Sequence, residues 1–281
     1  IAFKQGLGGQ FNANAFNGFS YFLSIDKSLK NQLFSLVFLG NKQANTRTAA
    51  VTEEMVALTG NKQYQPGWGF QSNHIRNANW QFTDHPMLLL SHEYNLHEKI
   101  KQVSTLLLST GEKFNTALDW YNSTDPRPDY YRYLPSFLKD SLLSQNLLTH
   151  LQLNPTQLQI NWDHLYWINQ NSTPDKRARY LLEERVEQSK KIVLNTRYRI
   201  QLNDLLLLNF QGQFRTERYT YFKRINDLLG AVYSINWNQF AEDNLPGSTA
   251  IQNDLNHPNQ ILRVGDVFGY HYQMNLRQWL M

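Results

Sequence analysis

Four histidines, the side chains that most often bind metal ions, lie within residues 74–97. They are His74, His85, His92 and His97. No two of them have the HExxH spacing, which places two ligands on one face of a helix, or a similar metal-binding spacing. The sequence therefore predicts no metal site among them.

The carboxylates Asp125 and Asp129, which bracket a Pro-Arg-Pro segment, form a spaced acid pair. Two such carboxylates can act as a general acid and a general base. Arg127 and Arg132 lie beside them, however, and opposite charges at this spacing are typical of ion pairs that stabilise a loop. We interpret the four charges in that way.

Other catalytic motifs are absent from the sequence. Serines and histidines occur without the sharp turn of a catalytic nucleophile. Gly6, Gly8 and Gly9 do not lead from a strand into a helix, as a phosphate-binding loop requires. We expect no catalytic residues, no cofactor and no enzymatic activity.

Aromatic and charged residues in the polar segments are the better candidates for function, because aromatic rings offer stacking surfaces to a ligand. The candidate ligand-binding residues are Trp68, Trp120, Tyr121, Arg127, Asp129, Tyr130, Trp162 and Tyr166. Two other interpretations apply to the aromatic residues. They can pack the loops against each other, or form the aromatic belt at a membrane surface.

The composition limits the class of protein. The 281 residues are 41% hydrophobic, carry a net charge of +4 and include no cysteine. No apolar run approaches the ~20 residues of a membrane-spanning helix, and no disulfide framework is possible. Basic residues are mixed with acidic ones, which argues against nucleic-acid binding.

Alternating hydrophobicity identifies the elements that must position these residues. Segment 191–215 alternates apolar and polar residues on both sides of a short turn, which predicts a β-hairpin with two unlike faces. The pattern recurs in hairpins over 19–38 and 87–110 and in a strand over 268–277, giving about seven strands, with Ile1–Lys4 as the tail of another. Residues predicted to face a polar lumen are Arg197, Arg199, Gln211, Gln213 and Arg277.

Connection length alternates along the chain. Turns of a few residues are predicted at Ser28–Asn31, His97–Lys99 and Leu202–Asp204, whereas the other connections run over about 41–84, 112–189 and 217–266. A soluble β-sandwich also alternates in hydrophobicity but has no reason to separate short from long connections. The separation favours an antiparallel transmembrane β-barrel with long extracellular loops.

The long connections contain local signals. Residues 52–58 and 161–169 predict short helices, and 227–230 predicts a helix end. The charges Glu183, Glu184, Arg185 and Glu187 predict a solvated extension of a strand above the membrane.

Four segments carry a resemblance to a known family: Asn17–Leu23, Pro66–Ala78, Asn115–Phe137 and Gln252–Tyr272. With them the chain resembles the TonB-dependent outer-membrane receptors of the Bacteroidetes type along essentially its whole length. The run DPRPDYY over 125–131 is the most specific piece. The family has a barrel of about 22 strands, a plug domain and a segment that engages TonB. The chain contains neither plug nor TonB-engaging segment, so we expect residues 1–281 to be a middle section of a longer barrel.

The resemblance implies a location in the outer membrane of a Gram-negative bacterium and import of an extracellular solute such as a siderophore, glycan, peptide or cobalamin. The implied partners are outer-membrane lipid, TonB acting through a plug outside this chain, and a surface lipoprotein or other envelope subunits. Two alternatives stay open: a non-transporting barrel that acts as an adhesin or envelope subunit, and a soluble β-rich binding module.

Overall fold

The computed structural model of the protein describes residues 1–7, 11–171 and 176–281, so Gly8 and Gly9 lie outside the described residues. Strands account for 54% of the chain and helices for 18%. The β-rich class expected from the alternating pattern is confirmed.

The described residues form strands β1–β14 and helices α1–α4. The strands are β1 Ala2–Leu7, β2 Ala15–Leu29, β3 Gln32–Thr46, β4 Trp68–Gln71, β5 His74–Asn77, β6 Trp80–Asp84, β7 Met87–His97, β8 Ile100–Trp120, β9 Ile160–Asn161, β10 Tyr180–Gln201, β11 Leu207–Asp227, β12 Ser234–Ile235, β13 Ile261–Leu262 and β14 Val267–Leu280. The helices are α1 Glu53–Thr59, α2 Ser141–Leu153, α3 Trp162–Asn171 and α4 Gln239–Asn244.

Nine strands form one antiparallel sheet in the order β1-β2-β3-β6-β8-β10-β11-β14, with β7 also between β3 and β8. β6 and β7 share a position because each pairs with both β3 and β8. Together β6 and β7 are one strand position that is interrupted at Pro86, because proline has no backbone N–H to donate to the ladder. The nine strands therefore fill eight positions. The predicted strand tail Ile1–Lys4 is found in β1 from Ala2 onward.

Short and long connections lie at opposite ends of this sheet. The hairpins β2–β3, β7–β8 and β10–β11 turn at 30–31, 98–99 and 202–206, at what we call the turn end. The connections 47–79, 121–179 and 228–266 all lie at the other end, the loop end. These connections are shorter than the sequence predicted because the strands extend further toward the loop end. β8 and β10 have 21 and 22 residues.

The face of the sheet that carries most of the alternating apolar residues is continuous across strands in its turn-end half. Pairing aligns one row of side chains: Leu23, Phe38, Leu88, Leu108 and Ile192. The next row toward the turn end is Ile25, Leu36, Leu90, Leu106, Leu194 and Phe214. We call these two rows the apolar band. Leu23, Ile25 and Leu194 are among its exposed members.

The opposite face carries four of the five residues predicted to face a lumen. Arg197 pairs with Gln211, and Arg199 and Gln213 lie two residues away on the same face. The prediction for Arg277 was wrong in this respect. Arg277 pairs with Thr216, which pairs with Ile192, so it lies on the face of the apolar band. In the register that β11 and β14 adopt, the band-face residues of β11 pair with the polar residues of β14. The polar residues of β14 therefore lie on the band face.

The hydrophobic core lies at the loop end. Three clusters of buried side chains form there. The clusters around Trp162 and Leu262 join the long connections to the ends of β10 and β11, and the cluster around Met55 packs two long connections against each other. Trp162 and Leu262 have no exposed surface. The long connections are therefore packed structures with cores of their own.

Local signals explain several loop elements. Thr52 caps α1 by accepting a hydrogen bond from the Met55 N–H, and α1 and α3 confirm the two predicted short helices. The predicted helix end at 227–230 is instead the end of β11 followed by a turn, in which Gly230 has a φ of 84°. In the described residues, no helix is both long and apolar enough to cross a membrane.

Candidate functional site

Three of the predicted ligand-binding residues meet in one cavity. Trp120, Arg127 and Asp129 line a cavity of about 530 Å³ at the loop end, which we call the loop-end cavity. Trp120 is the last residue of β8, whereas Arg127 and Asp129 come from the connection that follows it. Arg47 and Arg185 add two further cations to the lining.

Two of the three arginines are fixed in place by a carboxylate. The Nε and Nη2 atoms of Arg127 donate to Asp125 at 2.9 and 2.6 Å, and its guanidinium lies 5.4 Å from the ring of Trp120. This confirms the predicted pairing of Arg127 with Asp125. The Arg185 Nε donates to Glu183 at 2.7 Å. Because guanidinium has five N–H donors, both arginines keep donors that are free to bind a ligand.

Arg47, just beyond the end of β3, is exposed at the rim of the loop-end cavity. Its backbone N–H donates to Asn79, and its guanidinium forms no ion pair within the described part of the chain. A cation without a carboxylate partner, beside two anchored guanidinium groups, is suited to an acidic group on a ligand.

Asp119 in the cavity lining and the buried Glu183 behind it are two carboxylates that share one cation. Lys223 Nζ lies 2.7 Å from Glu183, which has no exposed surface, and 3.8 Å from Asp119. Partial burial and the neighbouring charge of Glu183 together raise the pKa of Asp119 to about 6, against the opposing effect of Lys223. Burial also raises the pKa of Asp129, partly offset by Arg127. Protonation of the Asp119 carboxylate therefore removes a negative charge from the cavity as the pH falls through about 6.

The expected solvated extension of β10 was wrong in part, because Glu183 and Glu184 are buried. Arg224 Nε lies 2.5 Å from Glu184 and Asn226 donates to the same carboxylate at 2.7 Å. Long neighbouring strands and the loop-end connections cover this segment, and cations on adjacent strands compensate the two buried charges.

Trp162 and Tyr166 do not line the loop-end cavity. They pack around Arg76, whose guanidinium lies 4.3 Å from the Trp162 ring and 2.7 Å from Asp227. The Tyr166 hydroxyl donates to Asp227 at 3.1 Å. Although burial acts to raise it, the hydrogen bonds from Arg76 and the other donors lower the pKa of Asp227. This network joins two connections to the end of β11, so both aromatic residues pack the loop end.

The other three candidates are also separated from the cavity. Trp68 is buried, with its ring edge-on to Phe70 at 5.5 Å. The Tyr121 hydroxyl donates to Glu242. Tyr130 packs edge-on against Tyr131 at 4.9 Å. All three rings make contacts within the packed connections, and the Tyr121 hydroxyl joins two of them, as the packing interpretation of the loop aromatics expects.

Sequence reasoning missed Arg47, Asp119 and Arg185 as cavity residues. The signal for Arg185 was present: Glu183, Arg185 and Glu187 alternate along a strand, so Arg185 had to share a face with Glu183. Arg47 and Asp119 carried no local signal, because connections distant in sequence bring them to the cavity.

The four histidines lie in different surroundings. His85 Nε2 lies 3.0 Å from the Ser109 hydroxyl, and His92 stacks on Phe34 with ring centroids 4.4 Å apart. Within residues 1–7, 11–171 and 176–281, no three His, Cys, Asp or Glu side chains are grouped in a way that could hold a metal ion.

Comparison with known proteins identifies no relative: no family model, curated protein or solved structure matches the chain.

Proposed function

We propose that the chain is part of the wall of a TonB-dependent outer-membrane transporter that binds an extracellular solute and imports it. The observation that carries the proposal is the apolar band, combined with the placement of every long connection at one end of the sheet. An exposed apolar surface this extensive needs a partner. A lipid bilayer is the partner that a continuous band across neighbouring strands would fit.

Strand length supports this location. A strand crosses a bilayer in about 9–11 residues, whereas β8 and β10 have 21 and 22. The band occupies their turn-end halves, and the remaining halves lead into the packed connections. In the proposed orientation the loop end is extracellular and the turn end periplasmic.

Open edges support a larger barrel. β1 pairs only with β2, and β14 only with β11, among the described residues. Long unpaired edges are prone to aggregation, and a closed barrel removes them. Further strands, outside these two edges, would complete the wall.

The solute would be bound first at the loop-end cavity, where Arg47, Arg127 and Arg185 favour an acidic group and the Trp120 ring offers a stacking surface. The coupling to TonB rests on the resemblance of the DPRPDYY segment and its neighbours alone. In the proposal TonB acts through a plug domain outside these 281 residues.

Membrane fractionation tests the location. We expect the protein to sediment with the outer membrane on a density gradient, to resist extraction by alkaline carbonate and to dissolve in detergent. Lipid contact around the band would hold it in the bilayer. Release by carbonate without detergent would contradict the proposal and favour a soluble β-rich module.

A second candidate function, as a barrel that serves as a subunit of an envelope assembly, is favoured by α2. This helix exposes Leu142, Leu143 and Leu153 at the loop end, which suits a protein partner such as a surface lipoprotein. Solute uptake that stops when TonB is deleted would support transport. Partner binding that persists without TonB, in the absence of any uptake, would support the second candidate.

A further inference from the structure

Two exposed cations face each other directly above the apolar band. Lys190 on β10 pairs with Arg218 on β11, on the same face as the band and one row nearer the loop end. Both side chains are exposed. Like charges directly opposite each other on neighbouring strands are unfavourable, so a bound anion would stabilise the arrangement.

A third cation lies beside them. Arg277 pairs with Thr216 and so extends the upper row of the band onto β14. Arg277 is exposed and is the diagonal neighbour of Arg218 across the two strands, a position at which residues lie about 7–8 Å apart. The three cations occupy neighbouring strands and point to the same side of the sheet.

Nearby carboxylates do not neutralise this group. Glu112 pairs with Arg224 at 3.2 Å, and Asp84 pairs with Lys42 at 3.7 Å. Arg218 has only a neutral neighbour, the Asn275 amide oxygen at 3.3 Å. In the part of the chain that the structure describes, none of the three cations forms an ion pair with a carboxylate.

An apolar depression begins immediately below Lys190. It has a volume of about 520 Å³ and its lining includes the band residues Phe38, Leu88, Leu108 and Ile192. Lys190 itself contributes to the rim. A ligand that fills both regions must carry a negative group directly above a hydrocarbon chain.

We propose that Lys190, Arg218 and Arg277 bind the phosphate group of a membrane lipid whose acyl chain lies in the depression below Lys190. This inference rests on the proposed function, because it places the band in a bilayer. It adds that Lys190 and Arg218 mark the level of the lipid phosphates on the loop-end side of the membrane, with Arg277 reaching toward them from one row below.

Native mass spectrometry of the detergent-purified protein can count bound lipids. We expect phosphatidylglycerol, which is anionic, to bind in preference to phosphatidylcholine with the same acyl chains. Each cation near a lipid surface contributes about a fivefold preference, so Lys190→Ala/Arg218→Ala is expected to reduce it about 25-fold. Removing the facing like charges should not lower the unfolding temperature.

The matched control is Arg197→Ala/Arg199→Ala, which removes two exposed cations from the opposite face. It should keep the full lipid preference, and inorganic phosphate at the lipid's concentration should not displace the lipid. If both double variants kept the same preference for phosphatidylglycerol over phosphatidylcholine, or if free phosphate displaced the lipid, the inference would be overturned. The proposed membrane location would not be affected by either result. Binding of neither lipid by the unaltered protein would contradict the proposed function as well.

Discussion

Replacing Leu194 by arginine is expected to weaken folding of the protein into a lipid bilayer by about 2–4 kcal/mol. Leu194 is an exposed member of the apolar band, paired with Leu106 on one side and Phe214 on the other. In the proposed orientation an arginine there would place its charge in hydrocarbon, where no carboxylate of the band can pair with it. The free energy of folding into phospholipid vesicles, measured by denaturant titration, tests this expectation.

Gln213→Arg is the matched control because it introduces the same side chain on the neighbouring strand but on the opposite face. Gln213 pairs with Asn195, so the new charge would not oppose an existing arginine. We expect this variant to fold within about 0.5 kcal/mol of the unaltered protein. Equal losses in the two variants would show that the faces do not differ in their contact with lipid.

Trp162→Ala is expected to destabilise the packed connections by about 3–5 kcal/mol, as removal of a buried tryptophan typically does. The side chain has no exposed surface, its Nε1 donates to the Arg76 carbonyl at 3.1 Å, and the Arg76 guanidinium covers its ring. Its loss would leave a cavity between α3 and the Arg76–Asp227 ion pair. Hydrogen exchange of the α3 and β4–β5 amides should become much faster.

The control for this variant lies on the same helix. Trp167 is 60% exposed and stacks on His164, with ring centroids 5.9 Å apart. Trp167→Ala should change exchange rates in the loops by little, since surface substitutions usually stay within about 0.5 kcal/mol. If Trp162→Ala left the loop amides as protected as Trp167→Ala does, the packing role assigned to Trp162 would be wrong.

Alternation made the turn-end halves of the strands visible in the sequence because their two faces meet different environments. Leu194 and Asn195 illustrate this difference within two residues. The loop-end halves were harder to identify. In β10, both faces of 180–184 are covered, so Leu181, Leu182, Glu183 and Glu184 are all buried and the period of two disappears.

The phase of β14 could not be predicted from its own pattern. Phe268–Arg277 alternates clearly, but only the register with β11 decides which of its faces adjoins the apolar band. That register includes an irregularity between Phe222 and Lys223, opposite a stretch of β14 that contains Gly269 with a φ of 68°. Pairing between strands about 50 residues apart in sequence has no local signal.

The candidate site was predicted in part. Trp120, Arg127 and Asp129 belong to a polar segment rich in aromatic and charged residues, which was the reason for predicting them. The structure places the three together in one cavity. Trp162 and Tyr166 are aromatic residues of the same kind, but they lie in a core. That core is completed by Arg76 and Asp227, which are distant from both in sequence. Helix α2 was missed, although Asp140 caps it by accepting hydrogen bonds from the Leu142 and Leu143 N–H groups.

The absence of cysteine from the chain makes one measurement particularly direct, because each cysteine introduced becomes the only labelling site within these 281 residues. Single cysteines at successive positions from Ile192 to Ile200 can carry a nitroxide spin label. Collisions with oxygen, which concentrates in lipid, and with a water-soluble nickel complex then report the environment of each position.

This scan tests the central claim, that one face of the sheet contacts lipid and the other an aqueous lumen. We predict high oxygen accessibility at 192, 194, 198 and 200, and high nickel accessibility at 195, 197 and 199, in the protein reconstituted in vesicles. The period of two should persist along the whole segment. Equal accessibility of both series to the nickel complex would contradict the claim, because it would show that both faces of the sheet contact water.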